Sequence, residues 1–137
     1  MKRRTIATVA AIAAIAGLSA CAANKERPEN YVDEKAPAAT VVGEAETCIQ
    51  VTRIRNSQVR SDNTIDFEMN GGKVYRNTLP YGCSGLGFEK AFAYKTSLSQ
   101  LCSTDIIHVI DSSGDRRGAS CGLGPFVPVE YDKDDAQ

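Results

Sequence analysis

Five cysteines, one histidine and one Gly-x-Ser-x-Gly run are the residues of this 137-residue chain whose types could carry chemistry. Gly118-Ala119-Ser120-Cys121-Gly122 has the letters of a serine-hydrolase elbow, in which a sharp strand-to-helix turn exposes the nucleophile. That elbow needs a histidine later in the chain, and none follows Ser120. The single histidine, His108, falls in the alternating stretch Asp105 to Asp111, on the face of Ile106 and Ile110. Its expected role is that of a strand residue, not a catalytic base. A Cys102–His108 thiol pair would cost a crosslink that so small a domain needs. Ser84 is the second candidate nucleophile.

Two glycine-rich stretches, Cys83-Ser84-Gly85-Leu86-Gly87-Phe88 and Cys121-Gly122-Leu123-Gly124-Pro125-Phe126, are near copies of each other. Gly82 and Gly87 have the spacing of a phosphate-binding loop, but Phe88 and Glu89 stand where lysine and a hydroxyl residue belong. A strand is expected after the loop, not the helix whose N-terminus would hold an anion. Neither stretch fits the dinucleotide fingerprint. Both read as turns beside half-cystines, and no cofactor is implied.

Cys48, Cys83, Cys102 and Cys121 are separated by 35, 19 and 19 residues, without a Cys-x-x-Cys pair. Zinc sites usually bring ligands in closely spaced pairs, so no metal site is expected. An even set in an oxidising compartment reads as two disulfides, for which four cysteines allow three connectivities.

The fifth cysteine explains the compartment. Lys2, Arg3 and Arg4 precede an uncharged run from Thr5 to Gly17, and Leu18-Ser19-Ala20-Cys21 follows. Residues 1–20 therefore read as a secretory signal, too short to cross a bilayer comfortably. The segment resembles the lipobox of bacterial lipoproteins, which implies cleavage before Cys21 and diacylation of its thiol. Ala22, with no acidic retention residue, favours the outer membrane by the same resemblance.

Without residues 1–20 the chain has 13 Lys+Arg against 17 Asp+Glu, a net charge of −4. Residues 47–131 are nearly neutral, with nine basic and eight acidic side chains, so no nucleic-acid partner is indicated. Residues 21–46 are charged and contain Pro28 and Pro37, and they read as a flexible tether. Residues 132–137 form an acidic tail. One domain of about 85 residues remains, small enough to need staples.

Thr64 to Met69 alternates strictly, placing Ile65, Phe67 and Met69 on one face. Asn70-Gly71-Gly72 is hairpin-turn chemistry, and Lys73 to Leu79 reads as the return strand with Tyr75 and Leu79 inward. Asp105 to Asp111 is another strand; Ile49 to Ile54 and Phe126 to Tyr131 are weaker ones, and Pro128 suits a sheet edge. Phe88 to Lys95 fits a strand or a helical face and is read as a strand, with Thr96 to Leu101 as a turn or a single helical turn. The expected fold is mainly β: five or six short strands in a small disulfide-stapled barrel or a curled antiparallel sheet. Asp66 and Glu68 share a strand face without forming a catalytic pair, and Arg53, Arg55, Arg60, Arg116 and Arg117 read as solvated side chains or a basic patch.

The stretches "CIQVTRIRNSQV", "NTIDFEMNGGKVYRNTLPYGCSGLGFEKAFAYKTSLSQLC", "DIIHVI" and "GASCGLGPFVPV" cover most of residues 48–129. Together they resemble a family of small Gram-negative lipoproteins, a domain of unknown function. The resemblance implies that Cys83 pairs with Cys121, leaving Cys48 for Cys102, and it supplies no catalytic residue. The function expected is a structural or binding module, anchored in the membrane by lipid on the periplasmic side, with an envelope protein as possible partner. The alternatives are a small serine hydrolase, or an inhibitor that presents Leu86 or Leu123 on a glycine-rich loop.

Overall fold

The computed structural model describes residues 31–96, 98–113 and 117–133. The alternating stretch forms β4 (Thr64–Met69), and its return strand is β5 (Val74–Thr78). Gly71 and Gly72 take φ of 98° and 89° between them, in the left-handed region that glycine reaches at no steric cost. The Lys73 carbonyl accepts from the Met69 N–H at 2.8 Å and closes the turn. Before the hairpin lie β1 (Ala39–Val41), β2 (Cys48–Gln50), a 3₁₀ turn at Val51–Arg53 and β3 (Ile54–Val59). After it come α1 (Leu86–Glu89), β6 (Phe92–Tyr94), β7 (Gln100–Cys102), β8 (Ile106–Ile110), β9 (Arg117–Gly122) and β10 (Phe126–Tyr131).

These strands make three antiparallel sheets, in the orders β1-β10-β5-β4-β3, β2-β7 and β6-β8-β9. The fold is thus mainly β. It has more and shorter strands than five or six, and its large sheet ends at β1 and β3, so no barrel closes. All three sheets contribute to one core: Phe67, Ile65 and Phe126 from the first, Leu101 and Ile49 from the second, Ile107 and Val109 from the third. The Phe67 and Phe126 rings meet edge-on at 5.6 Å. Such pairs contribute about 0.5–1.5 kcal/mol beyond area burial.

Two disulfides fasten the smaller sheets. Cys48 and Cys102 face each other directly across β2 and β7. Thr47 and Val51 bond backbone to backbone with Ser103 and Ser99. Cys48 therefore occupies a non-hydrogen-bonded pair, where antiparallel strands approach most closely, and its Cα lies 4.0 Å from that of Cys102. Cys83, just before α1, bonds to Cys121 of β9 across a Cα separation of 5.6 Å. Each crosslink adds about 2–4 kcal/mol by restricting the unfolded chain.

Several local expectations are corrected. The tether read over residues 21–46 ends sooner: β1 pairs with β10, and Asp33 accepts hydrogen bonds from Ser61 and Thr64. Composition made this segment look solvated; its partners come from distant parts of the chain. β10 lies between β1 and β5, not at an edge. A residue's N–H and C=O point the same way in a strand, and the Pro128 carbonyl accepts from Val42. The N–H that proline lacks would therefore face the position just past the end of β1, where no ladder bond is required. Leu86–Glu89 is a single helical turn where a strand was expected to begin at Phe88, and the region read as a turn over Thr96–Leu101 contains the start of β7.

Candidate functional site

An open cleft of about 510 Å³ lies between β2 and the turn end of the β4–β5 hairpin. Its floor is apolar, from the buried Ile49, Met69 and Tyr75. Its rim is polar, from Glu46, Gln50, Arg53, Asn70, Lys73 and Gln100. The β4–β5 register turns Tyr75 inward, while an isolated bridge between Glu46 and Phe126 brings Glu46 to the phenol. The Tyr75 hydroxyl donates to the Glu46 carboxylate, and Lys73 Nζ donates to the same oxygen at 3.2 Å. Lys73 Nζ also stands 4.4 Å from the centre of the Tyr75 ring. The Tyr75 hydrogen bond, with Lys73 beside it, holds the Glu46 carboxyl below its ordinary value. Burial, and then the bond to Glu46, push the Tyr75 phenol up. Near neutral pH the two shifts favour the charged Glu46 carboxylate and the neutral Tyr75 phenol, each within its ordinary charge state.

A second cavity, of about 500 Å³, lies on the opposite face of the large sheet beneath residues 31–41. Its walls are mostly apolar, with Val41, Val127, Val129 and Pro37, and Arg76 enters from β5. Arg76 is held by Asp66, which is fully buried and also accepts from Arg60 Nε at 2.9 Å and the Tyr131 hydroxyl at 3.0 Å. Asp66 is therefore a structural anion. Glu68 accepts from Arg55 at 3.0 Å on the same face and does not meet Asp66. Arg55 and Arg60 are thus committed to ion pairs within the sheet. Arg53 remains exposed at the cleft; Arg116 lies outside the described residues, as does Cys21.

The third place is the outer face of β8 and β9. His108 pairs with Ser120 in the register, and its Nδ1 lies 2.7 Å from Ser120 Oγ. The missing later histidine does not keep the two apart, because an antiparallel neighbour supplies one from upstream. The contact sits on an open face beside Ile106, which is 53% exposed, and neither cavity reaches it. Among the described residues no carboxylate bonds the other ring nitrogen, and β9 is a strand rather than an elbow.

The glycine-rich stretches are packing devices. A Cβ on Gly124 would stand 2.2 Å from the Thr78 carbonyl oxygen, and one on Gly87 would stand 2.9 Å from the Asp62 nitrogen. Buried Asn77 locks the second stretch, donating to the Gly124 carbonyl at 2.6 Å and accepting from its N–H at 2.9 Å. Leu86 and Leu123 are buried in the core, so neither is presented to a partner, and the inhibitor reading loses its contact residues. Phe88 is instead the exposed apolar residue of α1, at 84%.

The Glu46–Lys73–Tyr75 cluster escaped the sequence reading because its members are 27 and 29 residues apart and match no motif. No curated protein and no solved structure matches the chain. The model of a family of unknown function (DUF6491) matches residues 1–124, and the chain belongs to that family.

Proposed function

We propose that this protein is a lipid-anchored module of the cell envelope, attached through Cys21 to the outer membrane and facing the periplasm, whose work is to bind rather than to catalyse. The observation that carries the reading is the pair of disulfides, each fixing a small sheet of a domain with little core of its own. Such staples belong to oxidising compartments. Leu18-Ser19-Ala20-Cys21 supplies the matching address and anchor. The polar-rimmed cleft is the surface on which binding is expected.

Mass spectrometry of the protein extracted from membranes should find the diacyl modification on Cys21, and Cys21→Ser should move the protein into the soluble fraction. Crosslinking in intact envelopes should then capture a specific partner. Capture of none, or an unmodified Cys21, would overturn the reading.

The 2.7 Å contact between His108 and Ser120 favours a second reading, a small serine hydrolase. A fluorophosphonate probe separates the two. Labelling of Ser120 that disappears in His108→Ala would establish the hydrolase; the binding reading expects a folded, unlabelled protein.

A further inference from the structure

On the edge of β2 that faces away from β7, Glu46 pairs with Phe126 just before the strand, and the stretch from Cys48 to Gln50 beyond it is open. Hydrogen-bonded positions alternate along an antiparallel pair, and Thr47 and Val51 bond toward β7. The polar groups of Ile49 therefore also face β7, while those of Cys48 and Gln50 point the other way. Gln50 caps the 3₁₀ turn and its carbonyl is taken up there. The N–H and C=O of Cys48 and the N–H of Gln50 remain without a backbone partner among the described residues.

Edges of this kind are normally blunted by a proline, a charge or a covering element. Cys48-Ile49-Gln50 has neither proline nor charge, and a cleft lies beside it. Cys48, Ile49 and Gln50 form one wall of that cleft, and Met69, Asn70, Lys73 and Tyr75 the other. Arg53 stands at its rim with no ion-pair partner among the described residues, whereas Lys73 and Arg55 are neutralised by Glu46 and Glu68.

We infer that this cleft takes an extended peptide segment of a partner protein, laid alongside β2 as an added strand. The peptide backbone pairs with Cys48 and Gln50, an apolar side chain drops onto Ile49 and Met69, and an acidic side chain meets Arg53. Main-chain bonds supply affinity in this mode, and pockets for alternate side chains supply selectivity. A free carboxylate would satisfy Arg53 alone and leave the strand edge unpaired. The inference rests on the binding reading above and names the chemistry of its partner.

The test titrates the full mature chain with acetyl-Val-Glu-Val-Glu-Val amide. The Cys48 and Gln50 amide resonances should shift and gain exchange protection. Gln50→Pro removes one free N–H at a residue whose φ of −75° proline already adopts. It should leave the melting temperature unchanged and weaken binding about tenfold, the loss of one good hydrogen bond. Arg53→Glu should exchange the preference for that of acetyl-Val-Lys-Val-Lys-Val amide. Four results would overturn the inference: no binding at millimolar peptide, undiminished binding to folded Gln50→Pro, the same shifts from acetate alone, or a self-associated dimer that Gln50→Pro abolishes. If envelope crosslinking still captures a partner in any of these cases, the binding reading stands and only the strand-addition cleft falls.

Discussion

Arg76 forks onto Asp66, its Nε 2.8 Å from one carboxylate oxygen and its Nη2 3.0 Å from the other. This bidentate pair, with Arg60 closing on the same carboxylate, is the polar centre of the sheet's outer face. Asp66→Ala would leave two guanidinium groups facing each other without their anion. Breaking a buried pair from one side costs about 3–5 kcal/mol. Urea denaturation should register a loss of that size, while Glu68→Ala, whose partner Arg55 is largely exposed, should cost no more than about 1 kcal/mol.

Gly124 and Gly122 separate close approach from simple turn preference. Gly124→Ala drives a methyl into the Thr78 carbonyl and should destabilise by about 1–3 kcal/mol or more. Gly122→Ala meets nothing within 4 Å and should stay within about 0.5 kcal/mol of wild type. Paired thermal melts of the two variants would check this, and equal losses would refute the contact.

Replacing Cys48 and Cys102 together with alanine should cost about 2–5 kcal/mol, as should replacing Cys83 and Cys121. The distinguishing measurement is hydrogen exchange. The first double variant should lose protection in β2 and β7, the second around α1 and β9. Uniform loss across all three sheets in both would contradict the division of labour between the staples.

The docking of residues 31–41 should depend on pH. Burial pushes the Asp33 carboxyl up, but hydrogen bonds from Ser61, Thr64 and the Lys35 N–H outweigh it and hold the group below its ordinary value of 3.8. A depressed carboxylate contributes stability that is present above the unfolded value and is lost as pH falls through the folded one. Protection of the β1 amides should therefore fall below pH 3.8, and Asp33→Asn should flatten that dependence. An unchanged acid limb in the variant would place the sensitivity elsewhere.

Sequence made legible what depends on local periodicity and turn chemistry. The β4–β5 hairpin announces itself through strict alternation and Asn70-Gly71-Gly72, and the inward side chains Ile65, Phe67, Met69, Tyr75 and Leu79 are buried. β1 and β9 carry no such signal. Ala39-Thr40-Val41 is a strand only because β10 lies beside it, and Arg117–Gly122 is built of small residues whose alternation carries little hydropathy contrast. The candidate site was harder still. Glu46 sits in a charged stretch that reads as solvated, and only the bridge to Phe126 brings it to Tyr75 and Lys73. The His108–Ser120 contact was hidden by chain order, since register and not sequence direction decides which strand residues face each other.

Tyr31 is bonded to Asn63 of the fold and lies ten residue steps beyond Cys21. Fully extended, ten residues reach about 33–36 Å. With Cys21 as the proposed anchor, the module works on a short leash: it patrols the layer next to the bilayer, and whatever it engages must come down to that surface.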